Sequence, residues 1–312
     1  MKKILITGGM GYLGGQLSNY LINNGFKVII GSSRKLVSIP KQLLDCKVIY
    51  IDLSCIDSLK AACDGVDSVV HLAGINASSS FESPKLAYEI NTLGTSNLVK
   101  ASIEKKVKYF LYFSTAHVYG SPLSGLINEN SPTNAVHPYA SSHKEAEDFL
   151  LENILSKRLN GSVFRLSNVI GAPLTKDANC WMLFANDASK QAITNKKITI
   201  KSNVKIERDF ISMLNVCKIS EFFLNEKPSN SFPVYNIGSG ESINLYNFAS
   251  LISKRCEFLF GYLPELIFSK SKTVKHLQYE TNKISNQIEF SLSRNLSPSI
   301  DDMLIFCHSE FL

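Results

Sequence analysis

Thr7-Gly8-Gly9-Met10-Gly11-Tyr12-Leu13-Gly14 is the stretch whose residue types and spacing most plainly do chemistry. Its glycines recur at 8, 11 and 14, between an apolar run at 3–7 and the start of a helical pattern. In that setting the first glycine turns the chain sharply and the second lets backbone approach a pyrophosphate. The third lets the helix pack close to the strand. A helix opening at Tyr12-Leu13-Gly14 would add N–H groups with partial positive charge, so the segment reads as a dinucleotide cradle. In NAD-binding chains an acid at the end of the second strand holds the ribose 2′-hydroxyl. Here Val28-Ile29-Ile30 runs into Gly31-Ser32-Ser33-Arg34-Lys35 with no acid. Ser33 and Arg34 suit a 2′-phosphate instead, because guanidinium grips phosphate in a fork. The pattern points to NADP and leaves NAD open. Asp52, closing a third strand pattern, stands where the adenine edge would lie. His71-Leu72-Ala73-Gly74 closes a fourth, at the edge where such sheets bind ligands. His71 reads as a packed, hydrogen-bonded histidine more readily than a catalyst, with a cofactor-wall role through its backbone.

Elements of matching order must position these residues. Strands are predicted over 3–7, 27–30, 47–51, 68–72, 109–114 and 162–166, with helices over 14–23, 56–62, 86–105 and 139–158 between them. This alternation implies an α/β fold, a Rossmann doubly wound parallel sheet covered on both faces, over residues 1–167. After about Ser167 the rhythm weakens, with one more strand at 234–237 and a helix at 245–260. Residues 168–312 are therefore expected to form a smaller α/β substrate-binding region, of which 205–240 returns to the first half.

Bulk properties narrow the class. A 312-residue chain that is 45% hydrophobic can bury a large core. A net charge of +6 suits an anionic ligand but not the dense basic stripe of a nucleic-acid binder. Seven scattered cysteines without a CxxC pair argue for reduced thiols and against a disulfide frame or a metal site. The start Met1-Lys2-Lys3 leads into an apolar run that Thr7-Gly8-Gly9 breaks at once, which favours a strand over a signal peptide. No apolar run approaches the length of a membrane span, and a cytoplasmic protein is expected.

Further motifs follow in order: Asp52-Leu53, His71–Gly74, Asn91-Thr92-Leu93-Gly94-Thr95-Ser96-Asn97-Leu98, Phe113-Ser114-Thr115-Ala116-His117-Val118-Tyr119-Gly120 and Pro138-Tyr139. Arg165-Leu166-Ser167-Asn168-Val169-Ile170-Gly171, Arg208-Asp209-Phe210-Ile211 and Val234-Tyr235-Asn236-Ile237-Gly238-Ser239-Gly240 complete the series. With the glycine loop, this succession resembles the extended short-chain dehydrogenase/reductase family, in its nucleotide-sugar epimerase/dehydratase/reductase branch. The resemblance implies that Asp52, Leu53, Leu72, Ala73, Gly74 and Asn91 line the cofactor. It implies that Thr115 hydrogen-bonds the reacting sugar oxygen and that Tyr139 exchanges a proton with it. It also implies that Asn168 and Arg208 meet the substrate, with Arg208 on its diphosphate. A carbonyl–alcohol interconversion needs one proton relay and one fixed donor at the same oxygen, so the two catalytic roles are chemically coherent.

The family pattern is Tyr-x-x-x-Lys, whereas this chain reads Tyr139-Ala140-Ser141-Ser142-His143-Lys144. On a helix, position i+4 lies ~40° from the tyrosine and i+5 ~140° away. His143 is therefore the residue expected to reach the ribose and the tyrosine, with Lys144 turned off that face. A tyrosine titrating near ~10 needs nearby positive charge to work at neutral pH, and a histidine near ~6.5 supplies it only in part. Three outcomes stand open: His143 as a working substitute with altered pH dependence, a distorted helix that brings Lys144 in, or a weak site that chiefly binds ligands.

The dehydratases of the family carry Asp-Glu after the catalytic threonine. Ala116 and His117 stand there, which argues against 4,6-dehydration and leaves 4-epimerisation or keto-sugar reduction. His117 either faces the substrate or packs at the strand end. Lys270, Lys272 and Lys275 add mildly to the case for a diphosphate. Surface-polysaccharide synthesis is the setting that the family suggests. It also implies a homodimer through helices 86–105 and 139–158, whose apolar residues Leu98, Ile103, Phe149 and Leu150 would equally pack on the sheet. The rival classes are a non-catalytic NADP or nucleotide-sugar binder and a reductase of a non-sugar ketone.

Overall fold

The computed structural model describes residues 1–34, 39–269 and 276–312. Lys35 and the Lys270, Lys272, Lys275 group lie outside the described residues. Strand β1 (Lys3–Thr7) leads into helix α1 (Tyr12–Asn23), then β2 (Lys27–Ser32) and β3 (Lys47–Tyr50). Next come α2 (Ile56–Cys63), β4 (Ser68–His71), α3 (Ala77–Glu82), α4 (Pro84–Ala87) and α5 (Gly94–Glu104). They are followed by β5 (Tyr109–Thr115), β6 (Gly125–Ile127), α6 (Pro138–Leu155), β7 (Gly161–Leu166) and β8 (Asn168–Ile170). Beyond these lie α7 (Phe184–Thr194), β9 (Lys197–Ile200), β10 (Glu207–Ser212), α8 (Met213–Glu226) and β11 (Val234–Ile237). The chain ends with β12 (Ser242–Asn244), α9 (Leu245–Phe260), β13 (Glu265–Phe268), β14 (Leu277–Tyr279), α10 (Asn282–Gln287) and α11 (Ser297–Phe311).

Seven strands form one sheet in the order β11-β7-β5-β4-β1-β2-β3. The pairings of β1 with β2 and β4, and of β5 with β4 and β7, are parallel. The chain runs outward from β1 through β2 to β3, then returns to lay β4 on the other side of β1. At such a reversal two successive loops diverge to opposite faces and leave a crevice at the carboxyl ends of the strands. The glycine loop after β1 and the Leu72–Gly74 segment after β4 flank that crevice. Leu5, Ile29, Val69 and Phe110 of the strands are buried against Leu59, Leu98 and Leu150 of α2, α5 and α6. Covering both faces explains why the strands read as continuous apolar runs rather than alternating ones.

By internal contacts the chain divides into two compact units. The first comprises Met1–Pro122, Glu129–Leu166 and Cys217–Tyr235. The second comprises Leu123–Asn128, Ser167–Val216 and Asn236–Leu312, and contains the small sheets β12-β10-β8, β13-β9 and β14-β6. The returning segment is thus shorter than the expected 205–240. β10 is hydrogen-bonded to β8 and β12, which keeps residues 205–216 with the second unit. The pairing of β6 with β14 draws in Leu123–Asn128, an excursion with no signal in the sequence. Among the described residues no helix is long and apolar enough to cross a membrane.

The helix expected over 86–105 forms with a right-handed helical backbone throughout, but its middle is not α-helical. A π-helical turn, Tyr88–Leu93, separates α4 from α5. Such turns occur often at functional sites, because the extra residue re-aims a side chain. Here it turns Asn91 inward, almost fully buried. The Asn91 amide nitrogen donates to Ser142 Oγ at 3.0 Å, and the Thr92 hydroxyl donates to the Ser142 carbonyl at 2.9 Å.

Candidate active site

The cofactor cradle is tight. Gly8 has φ +71°, and a Cβ there would sit 2.8 Å from the Ala73 nitrogen. A Cβ on Gly14 would sit 2.2 Å from the Gly8 carbonyl oxygen. Gly11 closes the loop by donating its N–H to Gly8 O at 2.9 Å and then serves as the N-cap of α1. No side chain caps that turn and no acid occupies it. Its partial positive charge is therefore left for a ligand anion. Bare backbone at Gly8 and Gly14 beneath an uncapped helix start fits a pyrophosphate. Gly14→Ala should push α1 off the loop, a clash costing about 1–3 kcal/mol, and lower NAD(P) affinity at least tenfold by fluorescence titration. Unchanged affinity would detach the loop from cofactor binding.

Around this cradle, the Asn91 Oδ1 accepts from Ile75 N at 2.9 Å. Gly74 leaves room for both Asn91 and His143: its Cβ would lie 3.0 Å from Asn91 Oδ1 and 3.8 Å from His143 Cε1. Leu53 packs against Gly94. The Asp52 carboxylate accepts from the Ser54 hydroxyl at 2.6 Å and the Ser54 N–H at 2.9 Å, and these bonds hold it below the usual carboxylate range. Ser33 and Arg34 are exposed beyond β2. His71 is the packed, hydrogen-bonded histidine expected, its ring buried between the Thr7 and Thr95 hydroxyls at 2.6 and 2.8 Å.

Thr115 ends β5, and its Oγ accepts the His117 N–H at 3.2 Å. Tyr139 opens α6 behind Pro138, its N–H held by the N-cap His137 Nδ1 at 3.2 Å. The Thr115 hydroxyl lies near enough to the Tyr139 phenol to oppose the upward push of burial on it. His143, one turn further along α6, meets Tyr139 edge to face, with ring centroids 4.6 Å apart. Its Nδ1 lies 2.7 Å from the Tyr112 hydroxyl. Thr115, Tyr139 and His143 thus converge at the carboxyl end of β5.

In the second unit, Asn168 pairs with Phe210 in the β8–β10 register and donates its amide to the Asp209 carbonyl at 2.8 Å. Arg208 lies half-buried beside it on β10, and among the described residues no carboxylate pairs with it. Burial pushes its guanidinium below the usual value.

A model of the NAD dependent epimerase/dehydratase family matches residues 4–238. The chain belongs to that family. It is a nicotinamide-dependent enzyme of the extended short-chain dehydrogenase type. A Methanocaldococcus jannaschii protein, provisionally named UDP-glucose 4-epimerase, is 27% identical over 96% of this chain and 94% of its own length. The fold is shared with the UDP-N-acetylglucosamine 4-epimerase of Methanobrevibacter ruminantium M1, solved with UDP-N-acetylmuramic acid. That match has TM-score 0.84 and 20% identity over 99% of each chain. It is shared also with RMD from Pseudomonas aeruginosa, solved with NADPH, at TM-score 0.80 and 21% identity over 99% and 98%.

Within this epimerase/dehydratase family, residue 143 is the departure that matters. α6 is an undistorted α-helix through this region, and the Lys144 ammonium is paired with Asp148 at the surface, so a distorted helix presenting Lys144 is ruled out. Nor does His143 supply the partial charge expected of an ordinary imidazole. Burial pushes it down to about 4, so it is neutral throughout the physiological range. Burial also raises the Tyr139 phenol, opposed only by the Thr115 hydrogen bond. His117 is exposed on a short turn, Ala116–Tyr119, and is not a buried packing residue. Tyr112 and Thr95 were missed in the sequence. Tyr112 stood in an apolar strand, yet a tyrosine predicted that deep must find a partner for its hydroxyl, and that was the available signal.

Proposed function

We propose that the protein epimerises C4 of a nucleotide-activated sugar, with Tyr139 as acid/base and Thr115 as the fixed donor to the same oxygen. The observation that carries this reading is that Thr115 closes β5 and influences the Tyr139 phenol at the start of α6, with His143 packed edge to face on the same ring. Gly8, Gly11, Tyr12, Leu13 and Gly14 would hold the pyrophosphate of NAD(P), and Asp52, Leu53, Leu72, Ala73, Gly74 and Asn91 would line its nucleoside ends. The nicotinamide supplies the hydride acceptor and donor when bound. Tyr139 takes the proton of the sugar hydroxyl as the carbonyl forms and returns it on re-reduction. Thr115 keeps that oxygen in place, and His143 hydrogen-bonds the ribose. Arg208, with its uncompensated cation, would hold the diphosphate, and Asn168 and His117 would complete the substrate contacts.

One observation favours a keto-sugar reductase as the second reading. β2 ends in Gly31-Ser32-Ser33-Arg34 with Ser33 and Arg34 exposed and no acid among them, which suits the 2′-phosphate of NADP. The two readings separate on one panel of UDP-, dTDP-, GDP- and CDP-sugars and their 4-keto forms, run from pH 6 to pH 9. A C4 epimer formed without net change in reduced cofactor supports the epimerase. Stoichiometric NADPH oxidation supports the reductase. Cofactor binding without any turnover removes the catalytic reading and leaves a binder.

We further propose a homodimer through α5 and α6. Leu98 and Leu150 are fully buried in the core and drop out of that face, whereas Ile103 and Phe149 are partly buried and stay available. A monomer by light scattering at micromolar concentration would reject it.

A further inference from the structure

Tyr112 is 1% exposed in the middle of β5, where its hydroxyl cannot turn to water. Two imidazoles flank its ring in near-parallel stacks, His143 at 6.0 Å and His71 at 5.6 Å. The hydrogen bonds around them can be assigned by counting protons. The Ala73 N–H donates to Thr7 Oγ at 3.3 Å, and the Thr7 hydroxyl lies 2.6 Å from His71 Nδ1. The Thr95 hydroxyl donates its single proton to the Asn91 carbonyl. Thr95 can therefore only accept from His71 Nε2, 2.8 Å away, which leaves Nδ1 to accept from Thr7. That chain of bonds starts beside the cofactor loop and ends on the Asn91 carbonyl, and it meets Tyr112 only through the stacked His71 ring. Separately, the Tyr112 hydroxyl lies 2.7 Å from His143 Nδ1. The Cε1 edge of the His143 ring lies toward Gly74 at the carboxyl end of β4, and Nε2 adjoins that edge.

We propose that Tyr112 is a positioning residue of this site, donating its phenolic proton to His143 Nδ1 and so fixing the imidazole as the Nε2–H tautomer, with that N–H as the directed donor beside Tyr139. The two nitrogens of a histidine are distinct, and the bond made by one sets the role of the other. A lysine at 143 would carry its donors whatever lay behind it. A histidine carries one donor, at a place its partner decides. The Tyr112–His143 pair therefore does together what the lysine of Tyr-x-x-x-Lys does alone, but as an oriented dipole rather than a cation. The proposal rests on the reading of Tyr139 as the acid/base.

Two measurements test it. In the full-length wild-type protein, long-range proton–nitrogen NMR should show the Nε2–H tautomer for His143, assigned by comparison with His143→Gln. An Nδ1–H tautomer overturns the proposal, whether or not any substrate has been found and whether or not variants fold. In a double-mutant cycle, Tyr112→Phe should lower kcat on the order of 10- to 100-fold and mix the His143 tautomers. In the His143→Gln background the same change should have almost no further effect on kcat. Independent, additive losses would show that Tyr112 acts through packing alone and overturn the proposal. Absence of turnover in the wild type would sink the proposed function while leaving the tautomer result to decide this inference.

Discussion

Tyr139→Phe should cut turnover by about 10²–10⁴-fold while leaving the fold and cofactor binding intact. The ring that packs edge to face on His143 is retained, as is the backbone bond to His137, and only the phenolic oxygen is removed. No nearby group can replace it. The Thr115 hydroxyl stays protonated at all working pH, and His143 lies on the cofactor side with its Nδ1 occupied by Tyr112. The wild-type pH profile should carry a matching signature. Burial raises the phenol above its ordinary value, and His143, pushed down to about 4, is uncharged and cannot lower it. The deprotonated form of Tyr139 therefore grows with pH. With a sugar alcohol as substrate, kcat/KM should climb steadily from pH 6 to pH 9. An inflection near the ordinary histidine value of about 6.5 would mean that His143 titrates there and is not held neutral. A Phe variant within fivefold of wild type would end the role given to Tyr139.

What the sequence made legible follows from which physical signals are local. The glycine cradle was legible because a tight turn, a close approach and a helix start each demand glycine at one fixed offset. The ~100° helical step sufficed to separate His143 from Lys144. Helix ends were not legible. α5 and α6 stop before Lys106 and Lys157, which take the left-handed backbone at φ 56° and 58° in the place where glycine is the usual stop signal. The apolar pattern consequently carries the expected helices past their C-terminal ends, slightly at 105 and further at 158. The π-helical turn at Tyr88–Leu93 leaves no periodicity of its own, being imposed by the bonds of Asn91 and Thr92 to α6. His143 shows the deeper limit. Its residue type suggested an ordinary imidazole, yet its charge state is set by burial beneath β4 and β5, elements distant in sequence. Leu98 and Leu150 illustrate the same point, since one apolar stripe serves a core or an interface equally until packing chooses.

The largest stability effect is expected at a residue that touches no ligand. Glu147 lies one turn beyond His143 and two beyond Tyr139, on the same face of α6, and is fully buried. It receives Arg165 of β7 through Nη2 at 2.7 Å and Nε at 3.2 Å, while the guanidinium also lies 4.8 Å from the Tyr119 ring centre. Glu147→Ala would strand a cation that is 4% exposed, for which the typical loss is about 3–5 kcal/mol. Against a total stability of about 5–15 kcal/mol, that is a large fraction, and urea unfolding should show it as a clear fall in midpoint. Replacing both partners, Glu147→Met with Arg165→Met, should recover most of the loss, because two apolar chains need no compensating charge. The rate should follow a different course. The ion pair fixes the register of α6 against β7 to the geometry of a bidentate bond, whereas methionines allow the helix to slide. A displacement of about 1 Å at Tyr139 would cost on the order of 10²-fold in turnover. The double variant should accordingly be stable and slow. If it is stable and fully active, the pair holds the fold together without setting the position of the acid/base, and the aim of α6 must come from Asn91, Thr92 and Tyr112 instead.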